Sequence, residues 1–200
     1  MKVKNAIQSR RSIRNFKDKK LATEDVNTIL EAARLAPSGT NLQPWRFVVI
    51  ESEEMRNELQ ECTLDFVAEA PVTIACAVDY NALEKVPKRI KELARAGAFK
   101  GTVLEKNDDS DYSGRDMSAE EAKRYLYLNE AIAIENMALQ ATELGIGSCW
   151  VMMFNEDKLA DTLDLDDDLE LVSLLALGYP EEIPEQRPRL SLDEIVIDRV

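Results

Sequence analysis

Residues 129–150 read NEAIAIENMALQATELGIGSCW, the most apolar long segment in an otherwise highly charged chain. Apolar side chains recur at 131, 134, 137, 138, 141 and 144, the three-to-four spacing of one helix face. Ile132, Ala133 and Leu139 add apolar surface elsewhere, and a helix that is apolar on more than one side must be buried on more than one side. Gly145 stands where a helix terminus favours a residue at positive φ. From Ser148 to Phe154 the pattern changes to a short apolar and aromatic run that suits a strand. The stretch predicts a central helix leading directly into a core strand, with packing rather than chemistry as its role.

Upstream, Val3, Ala6 and Ile7 give an opening helix a short apolar face, followed by Ser9-Arg10-Arg11-Ser12-Ile13-Arg14-Asn15-Phe16. Thr23 is expected to cap a helix whose first turn holds Glu24 and Asp25, both favourable at the positive end of the dipole. Val26, Ile29, Leu30 and Ala33 form its buried face, and Pro37 ends it. The loop from Pro37 to Trp45 is rich in turn formers and hydrogen-bonding side chains. Phe47–Ile50 and Val72–Val78 read as strands, the second without a polar face and so buried on both. Between them Ser52 caps a helix carrying Met55 and Leu59.

From Tyr80 to Ser118 the reading is less regular. Lys88 to Phe99 suits a helix, and Lys106 to Gly114 an exposed loop. Ser118 and Glu121 form a capping-box pair that opens a helical region continuous with the central helix. Beyond the Trp150 strand, Asn155 caps a short helix with Leu159 and Leu163, and Leu171–Leu177 is a last core strand ending at Gly178. The tail alternates apolar residues at Ile195 and Ile197, as a segment does when it packs on something.

A chain of 200 residues suits one domain with a true core. Its net charge of −13 argues against general attraction to nucleic acid or anionic membrane, so any bound anion needs a local cluster of cations. No apolar run reaches the ~18 residues that span a bilayer, and the N-terminus has no signal-peptide core; the expectation is a soluble, cytoplasmic protein. Cys62, Cys76 and Cys149 lack a CxxC spacing and read as buried free thiols. With no histidine in the chain, Ser-His and Cys-His nucleophile pairs and histidine metal sites are excluded. An enzyme built this way takes its chemistry from a cofactor.

Two basic clusters stand out from the acidic background: Arg10, Arg11 and Arg14 near the start, Arg187 and Arg189 near the end. The planar guanidinium fork suits phosphate. Gly145-Ile146-Gly147 follows a helix and precedes a strand, the reverse of the dinucleotide-binding order, and reads as a helix stop. Asp164 to Asp168 has Leu169 where a calcium loop needs glycine, and reads as a solvated turn.

Taken in order, these motifs resemble the FMN-dependent nitroreductase family. Arg10-Arg11-Ser12-Ile13-Arg14-Asn15-Phe16 is similar to its RRSxRxF opening, and Pro37-Ser38-Gly39-Thr40-Asn41-Leu42-Gln43-Pro44-Trp45 to its PSxxNxQPW loop. Gly145-Ile146-Gly147-Ser148-Cys149-Trp150, Leu177-Gly178-Tyr179-Pro180 and Arg187-Pro188-Arg189 resemble its GLGxCW strand, LGYP turn and terminal basic pair. The resemblance implies an α+β fold, a mixed, mainly antiparallel sheet flanked by helices, in an intertwined homodimer with FMN at the interface. It implies one FMN-binding domain over residues 1–200, with 80–118 as a variable substrate-covering segment and 179–200 as an extension that packs on the partner subunit.

By the same resemblance Arg10, Arg11, Ser12, Arg187 and Arg189 hold the phosphate and ribityl chain, and Arg14 faces the N1/O2 side of the flavin. Pro37, Ser38, Gly39 and Asn41 reach the flavin from the partner, and Met152 and Met153 lie at its edge. Hydride passes from NADH or NADPH through flavin N5 to a small-molecule electron acceptor such as a nitroaromatic or quinone, by ping-pong turnover and without a catalytic side chain. The Met152-Met153 pair replaces the Gly-Gly common in relatives, and Thr63-Leu64-Asp65 stands where an Asn or Gln contact to the pyrimidine ring is usual. Reductive dehalogenation, flavin fragmentation, a deazaflavin donor, or a non-catalytic flavin-binding module are the alternatives within this resemblance.

Overall fold

The computed structural model, which describes residues 1–102 and 116–200, is built around the two strands with the longest apolar runs. Strand β2 (Val72–Asp79) is buried at every position, and β4 (Leu169–Gly178) at all but its first two. They pair antiparallel with Val72 opposite Leu177. Strand β1 (Trp45–Ile50) flanks β2 and β3 (Gly147–Val151) flanks β4, giving the order β1-β2-β4-β3. All three pairings are antiparallel. Among the described residues the parallel component is an isolated bridge of Ser12 with Ser148, which lies along the open edge of β3.

Helices cover both faces. On one lie α2 (Thr23–Arg34) and the 25-residue α6 (Ala119–Glu143), where Ile29, Ala33, Ile134, Met137 and Ala141 pack on Ile74 and Leu175. On the other, α3 (Glu53–Leu59), α4 (Asp65–Ala68) and α7 (Glu156–Thr162) bring Leu59, Val67 and Leu159 against Cys149, Leu174 and Ala176. A third cluster joins Leu42, Val78, Val86 and Leu126. The α+β architecture is as expected: alternate residues of the sheet serve two cores, so a nearly unbroken apolar run is required of its central strands. All three cysteines are free and buried within it.

The predicted helix-to-strand passage is present in one continuous piece. Ser118 and Glu121 form the capping box of α6, and Gly145 turns out of it at φ +75° with the Ile146 N–H on the Ala141 carbonyl at 2.8 Å. Ser52 and Asn155 cap α3 and α7. Thr23 does not cap α2: it is the first helical residue, Ala22 occupies the cap position without a side-chain bond, and Glu24 and Asp25 remain to answer the helix dipole. The helix expected over 88–99 begins earlier and ends sooner, as α5 (Val86–Arg95), with Pro87 in its first turn where a missing N–H costs nothing. The segment Lys106 to Gly114 lies outside the described residues.

Past Pro180 the chain follows α1 (Val3–Ser9) in having an exposed apolar face, since only Ala6 of that helix is buried. The tail includes α8 (Leu192–Ile195) and leaves Leu192, Ile195 and Ile197 exposed on a single chain. No helix among the described residues is long and apolar enough to cross a membrane.

Candidate functional site

The site is assembled where three remote segments meet at the β3 edge of the sheet. The Ile13 N–H donates to the Ser148 carbonyl at 2.9 Å, Lys17 N–H to Tyr179 O at 2.8 Å, and Glu181 N–H returns to Asn15 O at 3.1 Å. Phe16 bridges Pro180. The Ile13 side chain is buried against Gly147, where a Cβ would stand 2.6 Å from Ile13 Cγ1. Glycine suits this position because the Ile13 side chain lies directly on the strand and leaves no room for a Cβ.

This segment carries the first basic cluster to β3. Among the described residues Arg10 Nε makes only a long ion pair with Glu135, at 3.8 Å, and Arg14 is exposed. Burial raises the Cys149 thiol pKa, while the charges of Arg14 and Arg10 oppose that rise, so both guanidinium fields reach the strand. Arg11 differs. Its Nη1 donates to the carbonyls of Gln8 and Arg10 at 2.8 and 2.9 Å, which ties it to its own backbone beside a cleft of ≈ 210 Å³. Ser12 is fixed by its bridge to Ser148.

At the exit of β3, Met152 and Met153 are 66% and 68% exposed. Thr63 Oγ1 donates to the Met153 carbonyl at 2.8 Å and Asn155 N–H to Cys62 O at 2.8 Å. The region around Thr63, distant in sequence, is thereby brought beside the two methionines. An apolar groove of ≈ 470 Å³ runs from Trp150 and Met152 past Tyr127, Leu128 and Ala131. At its side Glu170 accepts from Tyr80 at 2.6 Å and from Tyr127 and Lys123. Burial, followed by the Glu170 hydrogen bond and charge, pushes both phenols above their usual range.

The loop after α2 is held in an unusual conformation. Thr40, Asn41 and Gln43 have φ of 51°, 52° and 52°, left-handed values that cost a side-chain-bearing residue on the order of 1 kcal/mol each. They persist because tertiary contacts over-determine them. Asn129, 3% exposed on α6, accepts the Gly39 N–H through Oδ1 at 2.7 Å and donates through Nδ2 to Tyr125 O at 2.6 Å. Gln43 N–H donates to Ser38 Oγ at 3.0 Å, and Gln43 Nε2 to Asn41 Oδ1 at 3.0 Å. Pro37 leads into this turn, and Gly39 lies under the Tyr125 ring, whose hydroxyl would be 2.2 Å from a Cβ.

Arg187 and Arg189 lie on the exposed tail. Arg189 Nη1 donates to the carbonyls of Arg187 and Pro188 at 3.2 and 3.1 Å. No hydrogen bond or ion pair among the described residues joins either arginine to Arg10 or Ser12 within one chain.

Two functional-looking residues escape the motif reading. One is Asn129. The other is its neighbour Glu130, fully buried, with neither carboxylate oxygen hydrogen-bonded among the described residues. Burial pushes its pKa up to about 9, against the opposing charge of Arg46, and the Cys76 thiol, raised by its own burial, is raised further by Glu130. The helix read as purely apolar packing thus carries an amide and a carboxyl inside the core. The signal was in the sequence: Leu126, Ala133, Ile134 and Met137 flank position 130 at helical spacing.

The sequence model of the nitroreductase family matches residues 7–179. The crystal structure of a nitroreductase family protein from Streptococcus pneumoniae superposes with a TM-score of 0.80 at 33% identity, covering 99% of this chain and 100% of that one. A protein of Exiguobacterium sibiricum assigned to the nitroreductases and crystallised with FMN gives a TM-score of 0.83 at 25% identity, covering 98% and 96%. The NADH dehydrogenase of Thermus thermophilus is 29% identical over 198 residues, 98% of this chain and 95% of that one. Motif order, sheet topology and end-to-end similarity agree, and the chain belongs to the nitroreductase family.

Proposed function

We propose that this protein is an FMN-dependent oxidoreductase that takes hydride from NADH or NADPH and delivers it to a small electrophilic acceptor, a nitroaromatic or a quinone. The observation that carries the proposal is the meeting of residues 10–17 with β3 and with 179–181, which brings the charges of Arg10 and Arg14 to bear on Cys149 in the strand that ends at the solvent-open thioethers of Met152 and Met153. The residues present fit the cofactor. Among the described residues Arg10 has a single long ion pair, which a phosphate can displace. Exposed Trp150, Met152 and Met153 offer soft, polarisable surface to a flat heteroaromatic ring.

When bound, FMN supplies the hydride chemistry that a chain without histidine lacks. Arg10, Ser12, Arg187 and Arg189 would hold the phosphate and ribityl chain. Arg14 places positive charge where negative charge develops on reduction, which favours the reduced state. Pro37, Ser38, Gly39 and Asn41 contribute from the second subunit of a homodimer. Leu128 and the tail residues Leu192, Ile195 and Ile197 are too apolar to remain open to water, and β1, paired on one edge only, can receive an extended tail. Residues 1–200 act as one FMN-binding domain, with 80–118 covering the acceptor and 179–200 packing on the partner.

Purified protein incubated with FMN is expected to turn yellow, to retain the colour through gel filtration, and to bleach anaerobically on addition of NADH or NADPH. Protein that stays colourless overturns the proposal, and bound flavin that neither nicotinamide bleaches reduces it to a binding module. Arg10→Ala is expected to weaken FMN binding by about tenfold or more, the loss of one charge-assisted hydrogen bond, as read by quenching of flavin fluorescence. Arg11→Ala, whose guanidinium is engaged with local carbonyls, is expected to change it less.

A further inference from the structure

We infer that Asn129 is a positioning residue for the flavin: by accepting the Gly39 N–H from inside the core, it locks the left-handed turn at Thr40–Gln43 and so fixes the loop that faces the cofactor. This inference rests on the proposed FMN site and adds a residue that no motif of the chain contains.

The argument begins with the turn. Three side-chain-bearing residues, Thr40, Asn41 and Gln43, are held at positive φ; the Gln43 bonds to Ser38 and Asn41 help to close the turn, but the backbone-to-backbone bonds inside the loop do not explain the choice of hand. Asn41 N–H to Ser38 O and Leu42 N–H to Gly39 O, both at 3.0 Å, are the bonds of any tight turn, and a tight turn of ordinary sequence adopts right-handed angles at least as readily. The selection comes from α6. Tyr125 and Asn129 lie four residues apart and therefore on one helix face, and both address Gly39. The Tyr125 ring leaves no room for a Cβ there, and Asn129 Oδ1 takes the N–H at 2.7 Å. One turn along the same face, Leu126 meets Leu42 in a buried cluster. The loop is thus gripped at Gly39 and at Leu42, and the strained residues lie between and just beyond those points.

Asn129 is itself held. Its Nδ2 donates to Tyr125 O at 2.6 Å, which orients the amide and leaves Oδ1 aimed at Gly39. A buried side chain with both ends engaged, spanning 90 residues of sequence, reports a geometry that must be kept to a fraction of an ångström. The loop is open to solvent at Asn41 and half-buried at Thr40, so the grip serves the orientation of these surface groups rather than the filling of the core. The rigid element involved is the same helix that leads through Gly145 into β3, and so into Met152. A single rod therefore sets both the loop that faces one flavin and the strand exit that faces the other.

The test compares Asn129→Leu, which keeps the volume and removes the acceptor, with Asn129→Asp, which keeps an acceptor oxygen for Gly39. Flavin affinity and the visible circular dichroism of bound FMN are measured beside the thermal midpoint. The expected result is an FMN Kd raised by about tenfold or more in Asn129→Leu, with an altered flavin dichroism band, and recovery of most of the affinity in Asn129→Asp. A lowered thermal midpoint with wild-type Kd and wild-type flavin dichroism in Asn129→Leu overturns the inference, because a merely structural residue behaves that way. Should Asn129→Leu fail to fold, Asn129→Ser, whose shorter hydroxyl falls out of reach of Gly39, is judged by the same split. Wild-type protein that binds no FMN is a separate outcome, which defeats the flavin proposal and this inference with it. Wild-type flavin binding with unchanged variants defeats this inference alone.

Discussion

Glu130→Gln raises the stability of the protein by about 3 kcal/mol at pH 7 and by very little at pH 5. The basis is a carboxyl that the fold keeps neutral: burial moves its pKa from 4.5 to about 9. In the unfolded chain the same group ionises in its ordinary range. Because the folded-state pKa is the higher one, the wild-type protein is at full stability below the unfolded value. It loses stability as pH rises through the window from about 4.5 to 9, by about 1.4 kcal/mol per unit. The charge of Arg46 and the neighbouring Cys76 thiol modify the slope without reversing its sign. Glutamine keeps the shape and the polarity but has nothing to ionise. Urea unfolding at a series of pH values should therefore show curves that converge at pH 5 and separate towards pH 9. Parallel curves would mean that the carboxyl is not buried as described.

Gly147→Ala is expected to damage both the fold and the cofactor site. The new methyl would stand 2.6 Å from Ile13 Cγ1 and 2.9 Å from its Cβ. Ile13 cannot easily turn away, since it is β-branched, buried, and held to Ser148 through its backbone. Overpacking of this kind costs about 1–3 kcal/mol, and the cheapest relief is to lift residues 12–16 from the strand. That movement carries Ser12 and Arg14 with it, so flavin retention should fall together with the unfolding midpoint. Gly145→Ala is the comparison: a Cβ there meets nothing within 4 Å, and the cost is the positive φ alone, about 1 kcal/mol. It should lower the midpoint and leave flavin retention intact. Equal flavin loss in both variants would remove the special role given to the Ile13–Gly147 contact.

Much of this fold is legible in sequence because its core elements follow simple periods. The unbroken run of β2, the spacing of α6, and the oxygen-bearing caps at Ser52, Ser118 and Asn155 each point to one local structure, and that structure forms. Thr23 misleads because a hydroxyl beside two acidic residues satisfies the pattern of a cap one position too late, and the pattern cannot tell cap from first turn. The strand after Gly145 stops at Val151 rather than Phe154, since the chain leaves the sheet there to meet Thr63, a tertiary contact with no local signature.

The candidate site is legible only where a motif carries it. Arg10, Arg11 and Arg14 stand out as cations in an acidic chain, and the loop at 37–45 as a cluster of turn formers. The left-handed angles at Thr40, Asn41 and Gln43 are invisible, because none of these residues requires them and the selecting groups lie some 90 residues away on α6. Glu130 was readable by position, since its neighbours at helical spacing are apolar. A single acid in an apolar helix fits a solvent-facing position equally well in sequence, and only the packing of both faces places it inside.

The burial of Cys62, Cys76 and Cys149 bears on the ageing of a protein that handles electrons in air. Peroxide formed at such a centre meets no accessible thiolate, since burial raises the pKa of both Cys76 and Cys149. The sulfur it does meet is the thioether pair at the end of β3. Sulfoxide formation at exposed Met152 or Met153 would replace soft, apolar surface with a polar one while the buried thiols stayed intact, so oxidative wear would begin at the surface and reach the interior last.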